Sequence, residues 1–217
     1  MLKPGDPSAT FLVGDGDDDA FETGSGLFRR TEVHISVSAD PNPLAISYTC
    51  GGFRFPNVTI PQASTINTAT FSGYIYDAAW DRIKGVIYGN NVDNPLDFLA
   101  NANIITVAQR PRTAANVAWV FENLPIGWNV SPSIVSIIQE LVNRPLWVSG
   151  NAVVLLFIMD TDVIRACRFY AIEQAAGFAA RLAVDWTPPA PPPAPPENPL
   201  IGKPLIGADI IQKAKIR

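Results

Sequence analysis

The chain is poor in the residues from which most catalytic and metal-binding sites are built. Its 217 residues include one histidine, His34, and two cysteines, Cys50 and Cys167, with no Cys-x-x-Cys pair. A zinc centre or a serine–histidine triad therefore lacks its parts, and no cofactor is expected. Charged residues are only 17% of the chain, the net charge is −4, and no basic cluster occurs, which argues against nucleic acid as a main partner. No stretch reaches the roughly 18 apolar residues of a spanning helix, so no membrane partner is expected either. Met1 to Asp19 carries one early lysine and no apolar h-region. The expectation is a chain that is not exported by the usual route, but assembled inside the cell and released by lysis.

Apolar residues, by contrast, are plentiful at 47%, enough to fill one sizeable core. The most informative run is Ser131 to Met159, SPSIVSIIQELVNRPLWVSGNAVVLLFIM. Ser131 suits a helix N-cap and Pro132 the first helical position. Ile134, Val135, Ile137, Ile138, Leu141 and Val142 recur at helical spacing, with Gln139, Glu140 and Asn143 on the wet side. Pro145 ends the helix. A turn at Ser149, Gly150 and Asn151 leads into Ala152 to Met159, eight apolar residues that read as a strand buried on both faces.

Elsewhere the pattern is strand-like. Val33, Ile35 and Val37 share a face; Ile46, Tyr48 and Cys50 alternate; Phe53 and Phe55 share a face; Phe71, Gly73 and Ile75 alternate with Ser72, Tyr74 and Tyr76. Further strands are expected at 85–90, 116–121, 165–171 and 181–186. Eight or nine short strands punctuated by Gly, Pro and Asn predict an antiparallel β-sandwich, jelly-roll-like, with one short helix. Cys50 and Cys167 read as buried free thiols, or as one disulfide if their strands are neighbours.

The expected boundaries are an irregular N-terminal arm at 1–30, the sandwich at 31–187, a proline-rich linker at 188–198 and a C-terminal peptide at 199–217. Seven prolines between Pro188 and Pro196 make a polyproline II spacer of about 3.1 Å per residue. The peptide repeats Pro199-Leu200-Ile201-Gly202 as Pro204-Leu205-Ile206-Gly207, then carries Ile210, Ile211 and Ile216 among basic residues. An apolar tail on a stiff spacer reads as a partner-docking segment.

Several segments, in order, resemble one sandwich family: FRFPNVTIPQASTINTATFSGYIYDAAWD, GNNVDNPLDF, TVAQRPRTAANVAWV, GWNVSPSIVSIIQELVNRPLWVSGNAVVLLF and ARLAVDWT. The resemblance spans roughly residues 45 to 187. It is to the carbohydrate-binding-module-like β-sandwiches of tailed-bacteriophage structural proteins and bacterial surface proteins, and DAAWD looks most like the phage group. The chain departs from that family at Ala63, where many relatives have glycine. It departs again at Tyr170-Ala171-Ile172-Glu173, where many have Tyr-Asp-Gly-Ser. The resemblance implies a non-enzymatic virion protein: a decoration, head-fibre or tail-associated subunit, self-associating and fastened to other capsid or tail proteins through both its N-terminal arm and its C-terminal peptide. The alternative is a carbohydrate-binding module for host-surface or extracellular glycans.

For a sugar, Tyr74, Tyr76, Trp80 and Trp128 would supply stacking rings, with Asp77, Asp81 and Asn90 bonding hydroxyls; the competing reading is core or edge packing. Trp119, Trp147 and Trp186 read as structural. Asp77 and Asp81 are close in sequence, but nothing marks them as a hydrolytic pair; they read as loop braces. The run Asp15-Gly16-Asp17-Asp18-Asp19 invites calcium. Counted as an EF-hand it fails, because position six is Ala20 and position twelve Gly26. A solvated acidic arm is expected, against a calcium site completed by distant carboxylates.

Overall fold

The computed structural model describes residues 6–40, 47–77, 83–106, 108–121, 124–159 and 165–193. Among them are twelve strands: β1 (Ser8–Leu12), β2 (Asp19–Thr23), β3 (Phe28–Arg30), β4 (His34–Asp40), β5 (Ser47–Phe55), β6 (Thr65–Asp77), β7 (Ile83–Asn90), β8 (Arg112–Phe121), β9 (Gly127–Val130), β10 (Val153–Met159), β11 (Arg165–Tyr170) and β12 (Arg181–Thr187). One helix, α1 (Val135–Val142), lies between β9 and β10. No described helix is long and apolar enough to cross a membrane.

All pairings are antiparallel. The strand order is β1-β12-β6-β11-β4-β5-β10-β7-β8, with β9 on β6, β2 on β5 and β3 on β2. The first half of that path lies over the second, making the sandwich expected from the alternating pattern. Ring contacts across the core show this directly. Phe71 on β6 lies 4.9 Å from Phe53 on β5, 4.8 Å from Phe157 on β10 and 6.1 Å from Trp119 on β8. Period-two alternation is what delivers these rings inward. Burying each phenyl ring is worth about 2–3 kcal/mol.

Strand β10 is buried along both faces for a specific reason. Val153, Leu155, Phe157 and Met159 belong to the main core. Val154 and Leu156 face a second, smaller core with Ala20, Cys50, Phe98 and Ile104. That second core is roofed by the connection between β7 and β8. Gly52 makes room for it, since a Cβ there would fall 2.4 Å from the Phe98 ring. The roof is pinned by Arg110, which is fully buried. Its guanidinium donates to the carbonyls of Asn103, Leu96, Asp97 and Asn101 and to Asn90 Oδ1, and lies 4.5 Å from the Phe98 ring centre. Burial lowers its pKa to about 10.

The structure corrects several expectations. Residues 8–30 are not a free arm: β1 pairs with β12, and β2 pairs with β5 along Asp19 to Thr23. These strands are short and mixed in composition; β2 and β3 form a local hairpin, and strands far along the chain tie β1 and β2 into the sheet. Ser131 does not cap the helix, whose N-cap is Ile134 with no side-chain cap bond. Its hydroxyl instead accepts the Phe71 N–H and donates to the Pro132 carbonyl. The helical stripe is buried as expected at Ile134, Ile137, Ile138, Leu141 and Val142. Gln139 and Glu140, however, do not simply face water. Gln139 accepts from Ile66 N–H and donates to the Ser64 carbonyl, while Glu140 accepts from the N–H groups of Ala114 and Ala115. They close backbone groups that strand pairing leaves open. Trp119, Trp147 and Trp186 are buried, and both cysteines are free and buried. Residues 188–193 are exposed and form no strand or helix; Pro199 to Arg217, with every residue of the expected docking peptide, lie outside the described residues.

Candidate functional site

The outer face of the β9-β6-β11-β4 layer carries a continuous run of rings. Inward packing of Phe71 and Ile75 on β6 turns Tyr74 and Tyr76 outward. The β6–β9 register sets Trp128 opposite Tyr74, with ring centres 5.7 Å apart. On the other side β11 presents Tyr170, stacked on Tyr76 at 4.4 Å and 11° and on Tyr74 at 5.6 Å. Phe178, in the turn before β12, lies 4.7 Å from Tyr74 and 4.8 Å from Tyr170. The run continues through His34, 6.0 Å from Tyr76, to Phe21 on β2.

Two charged groups border these rings. Arg181 places its guanidinium 3.8 Å from the Trp128 ring centre, a cation–π contact on one indole face. Arg168 pairs with Asp77 at the end of β6. Burial, then the nearby Arg168 charge, lowers the His34 pKa, and burial raises that of the Tyr76 hydroxyl. Tyr74 and Tyr76 have each given one ring face to Tyr170. Trp128 is the most open ring of the group at 37% exposure.

Of the residues expected to bind sugar, Tyr74, Tyr76, Asp77 and Trp128 thus gather on one face. Asp77 is tied to Arg168 as a brace. Trp80 and Asp81 lie outside the described residues. Asn90 does not join this face: it is 3% exposed on β7 in the other layer, where its side chain bonds the Pro111 carbonyl and Arg110. Sequence alternation along 165–171 already sets Tyr170 opposite Phe169. What it could not supply is the set of cross-strand neighbours, so Tyr170, His34, Phe178 and Arg181 were missed. Another depression, of about 310 Å³, lies on β1, β12 and β6 between Ser8, Thr10, Thr68, Thr70 and Asp185, and includes none of the expected site residues.

The acidic run is also not the solvated arm that was expected. Asp18 and Asp19 are buried. Asp18 pairs with Arg54, and Asp17 pairs with Arg30. Asp19 Oδ2 accepts the Ile172 N–H at 3.1 Å, which fastens this turn to the connection after β11. Among the described residues no three histidine, cysteine or acidic side chains gather at a common point.

No family model matches the chain, and no curated protein matches it. Among solved structures it is similar to a chain in the cryo-EM structure of Mud crab tombus-like virus, with 12% identity and a TM-score of 0.28 over 88% of this chain and 86% of that one.

Proposed function

We propose that this chain is a non-enzymatic structural protein of a tailed-bacteriophage virion, a decoration, head-fibre or tail-associated subunit, mounted through its C-terminal segment. The observation that carries the reading is how the chain leaves the domain. Both buried clusters draw their described residues from Phe11 to Trp186. Strand β12 ends at Thr187, and residues 188–193 run out exposed. A proline-rich spacer then leads to the apolar repeat between Pro199 and Ile216. Such a peptide gains buried contacts on a partner and loses its own conformational freedom on docking. Repetition of the mount on a symmetric particle adds avidity. The described part of the N-terminal segment pairs into the sheet through β1 and β2, so the reading places the mount on the C-terminal segment. In this reading the partners are capsid or tail subunits and further copies of the chain, assembled in the host cytoplasm and retained in the virion.

Co-sedimentation tests it. Full-length chain and a form ending at Thr187 are spun with shells or tails that lack the protein. Pelleting of the full-length chain alone supports the mount; failure of both forms to pellet refutes it.

A second reading, glycan binding, is favoured by the partly open Trp128 beside Arg181 on the ring-lined face. Rings stack on the apolar faces of sugars. Loss of glycan retention in Trp128→Ala, with the fold intact, would support it, and absence of retention by the unmodified chain would refute it.

A further inference from the structure

The two carboxylates at the join between the acidic turn and the β11–β12 connection have no cation, although their neighbours do. Asp17 and Asp18 are each met by an arginine, Arg30 and Arg54. Asp19 is 0% exposed and Glu173 half-buried, and neither is paired with a cation among the described residues. Asp19 Oδ1 is buried without a hydrogen-bond partner. Both carboxylate oxygens of Glu173 are buried as well, and no donor beyond the residue's own N–H reaches them. The Glu173 carboxylate lies directly against the turn: a Cβ at Gly16 would fall 1.9 Å from Oε1. Asp19 Oδ2 accepts the Ile172 N–H at 3.1 Å, which sets the Asp19 carboxylate at the residue immediately before Glu173. A buried carboxylate oxygen left without a donor is costly unless something positive sits against it.

We propose that Asp19 Oδ1 and the Glu173 carboxylate hold a calcium ion. Calcium takes six to eight oxygens in flexible geometry and accepts carboxylates, main-chain carbonyls and water together. Two carboxylates carry this site, and main-chain oxygens and water complete the shell. Magnesium, which demands near-ideal octahedral geometry and sheds water reluctantly, fits such a turn less well. The ion would lock the turn at 15–19 to the connection that begins immediately after Tyr170, and so hold one border of the ring-lined face. The site is independent of the C-terminal mount.

The test uses chelator-stripped full-length chain, titrated calorimetrically with calcium chloride and, separately, magnesium chloride, with thermal unfolding in parallel. The expected result is one calcium per chain, a rise in Tm of several degrees, about 5 °C, at saturating calcium, and weaker or no response to magnesium. Asp19→Asn and Glu173→Gln should each weaken calcium binding by about tenfold or more. Asp17→Asn, which alters the arginine-paired acid, should leave it nearly unchanged. No heat and no Tm shift at millimolar calcium would overturn the proposal, leaving the two acids sharing a proton. Undiminished binding in both variants would overturn it too. The unmodified chain alone decides the first point if either variant fails to fold.

Discussion

Replacing Arg110 by alanine should open the second core while leaving the first in place. The guanidinium bonds five acceptors in the roof between β7 and β8. A hydrogen bond to a charged group contributes about 1.5–3 kcal/mol. The five do not simply add, because the buried charge is itself costly, as its pKa lowered to about 10 shows. The loss should be about 3–5 kcal/mol, because removing the guanidinium leaves several buried oxygens without a donor, at about 1–3 kcal/mol each, while relieving the cost of the buried charge. Phe98, which packs under Arg110 and over Gly52, would then be released, and Cys50 beneath it exposed.

The Cys50 thiol reports this directly. Burial raises its pKa from 9.0 to about 11, so exposure restores about a hundredfold of thiolate at mildly alkaline pH. Cys167 lies in the main core with a pKa of about 12. Urea unfolding and reaction with a chromogenic disulfide reagent make the assay, with Cys167→Ala as the assigning background. One thiol per chain should become fast in Arg110→Ala and the other stay slow. A stability loss below about 1 kcal/mol with Cys50 still protected would refute the role of Arg110 as a pin, given the hydrogen-bond magnitudes above. Equal acceleration of both thiols would refute the independence of the two cores.

Three further outcomes are expected. Ala63 has φ +58, a left-handed conformation that costs a residue with a Cβ about 1 kcal/mol, so Ala63→Gly should stabilise the chain by up to that amount in urea unfolding. Glu140→Ala strips the acceptors from the Ala114 and Ala115 N–H groups, with a loss of about 1–2 kcal/mol and faster amide exchange at those two positions. In the presence of chelator, burial and then Glu173 hold the Asp19 carboxyl well above its ordinary 3.8. Folding therefore favours its protonated form. Its contribution is full below the ordinary value and is lost as pH rises through the raised one. The stability advantage of Asp19→Asn over the unmodified chain should thus widen on going from about pH 4 to neutrality, and a pH-independent difference would contradict the assignment.

Much of the sandwich was legible locally. The 3.6-residue stripe from Ile134 to Val142 and the two-residue alternation at Phe53 and Phe55, and at Phe71 to Ile75, mark inward faces by periodicity alone. The unbroken apolar run of β10 marked a strand covered on both sides, though not what covers it. The roof over its second face is held by Arg110, and a charged residue in a loop gives no sign in sequence that five carbonyl and amide oxygens converge on it.

Composition and spacing by themselves determined the class of fold, the inward faces and the change of composition after Thr187, because each depends on neighbours within a few residues. Tertiary structure alone decided which outward residues meet. It drew 8–30 into the sheet, set Tyr170 and Arg181 beside Tyr74 and Trp128, sent Asn90 to the opposite layer, and brought the Asp19 carboxylate to the Ile172 N–H from 153 positions away. Those meetings follow from register and from pairing between distant strands, which no local pattern encodes.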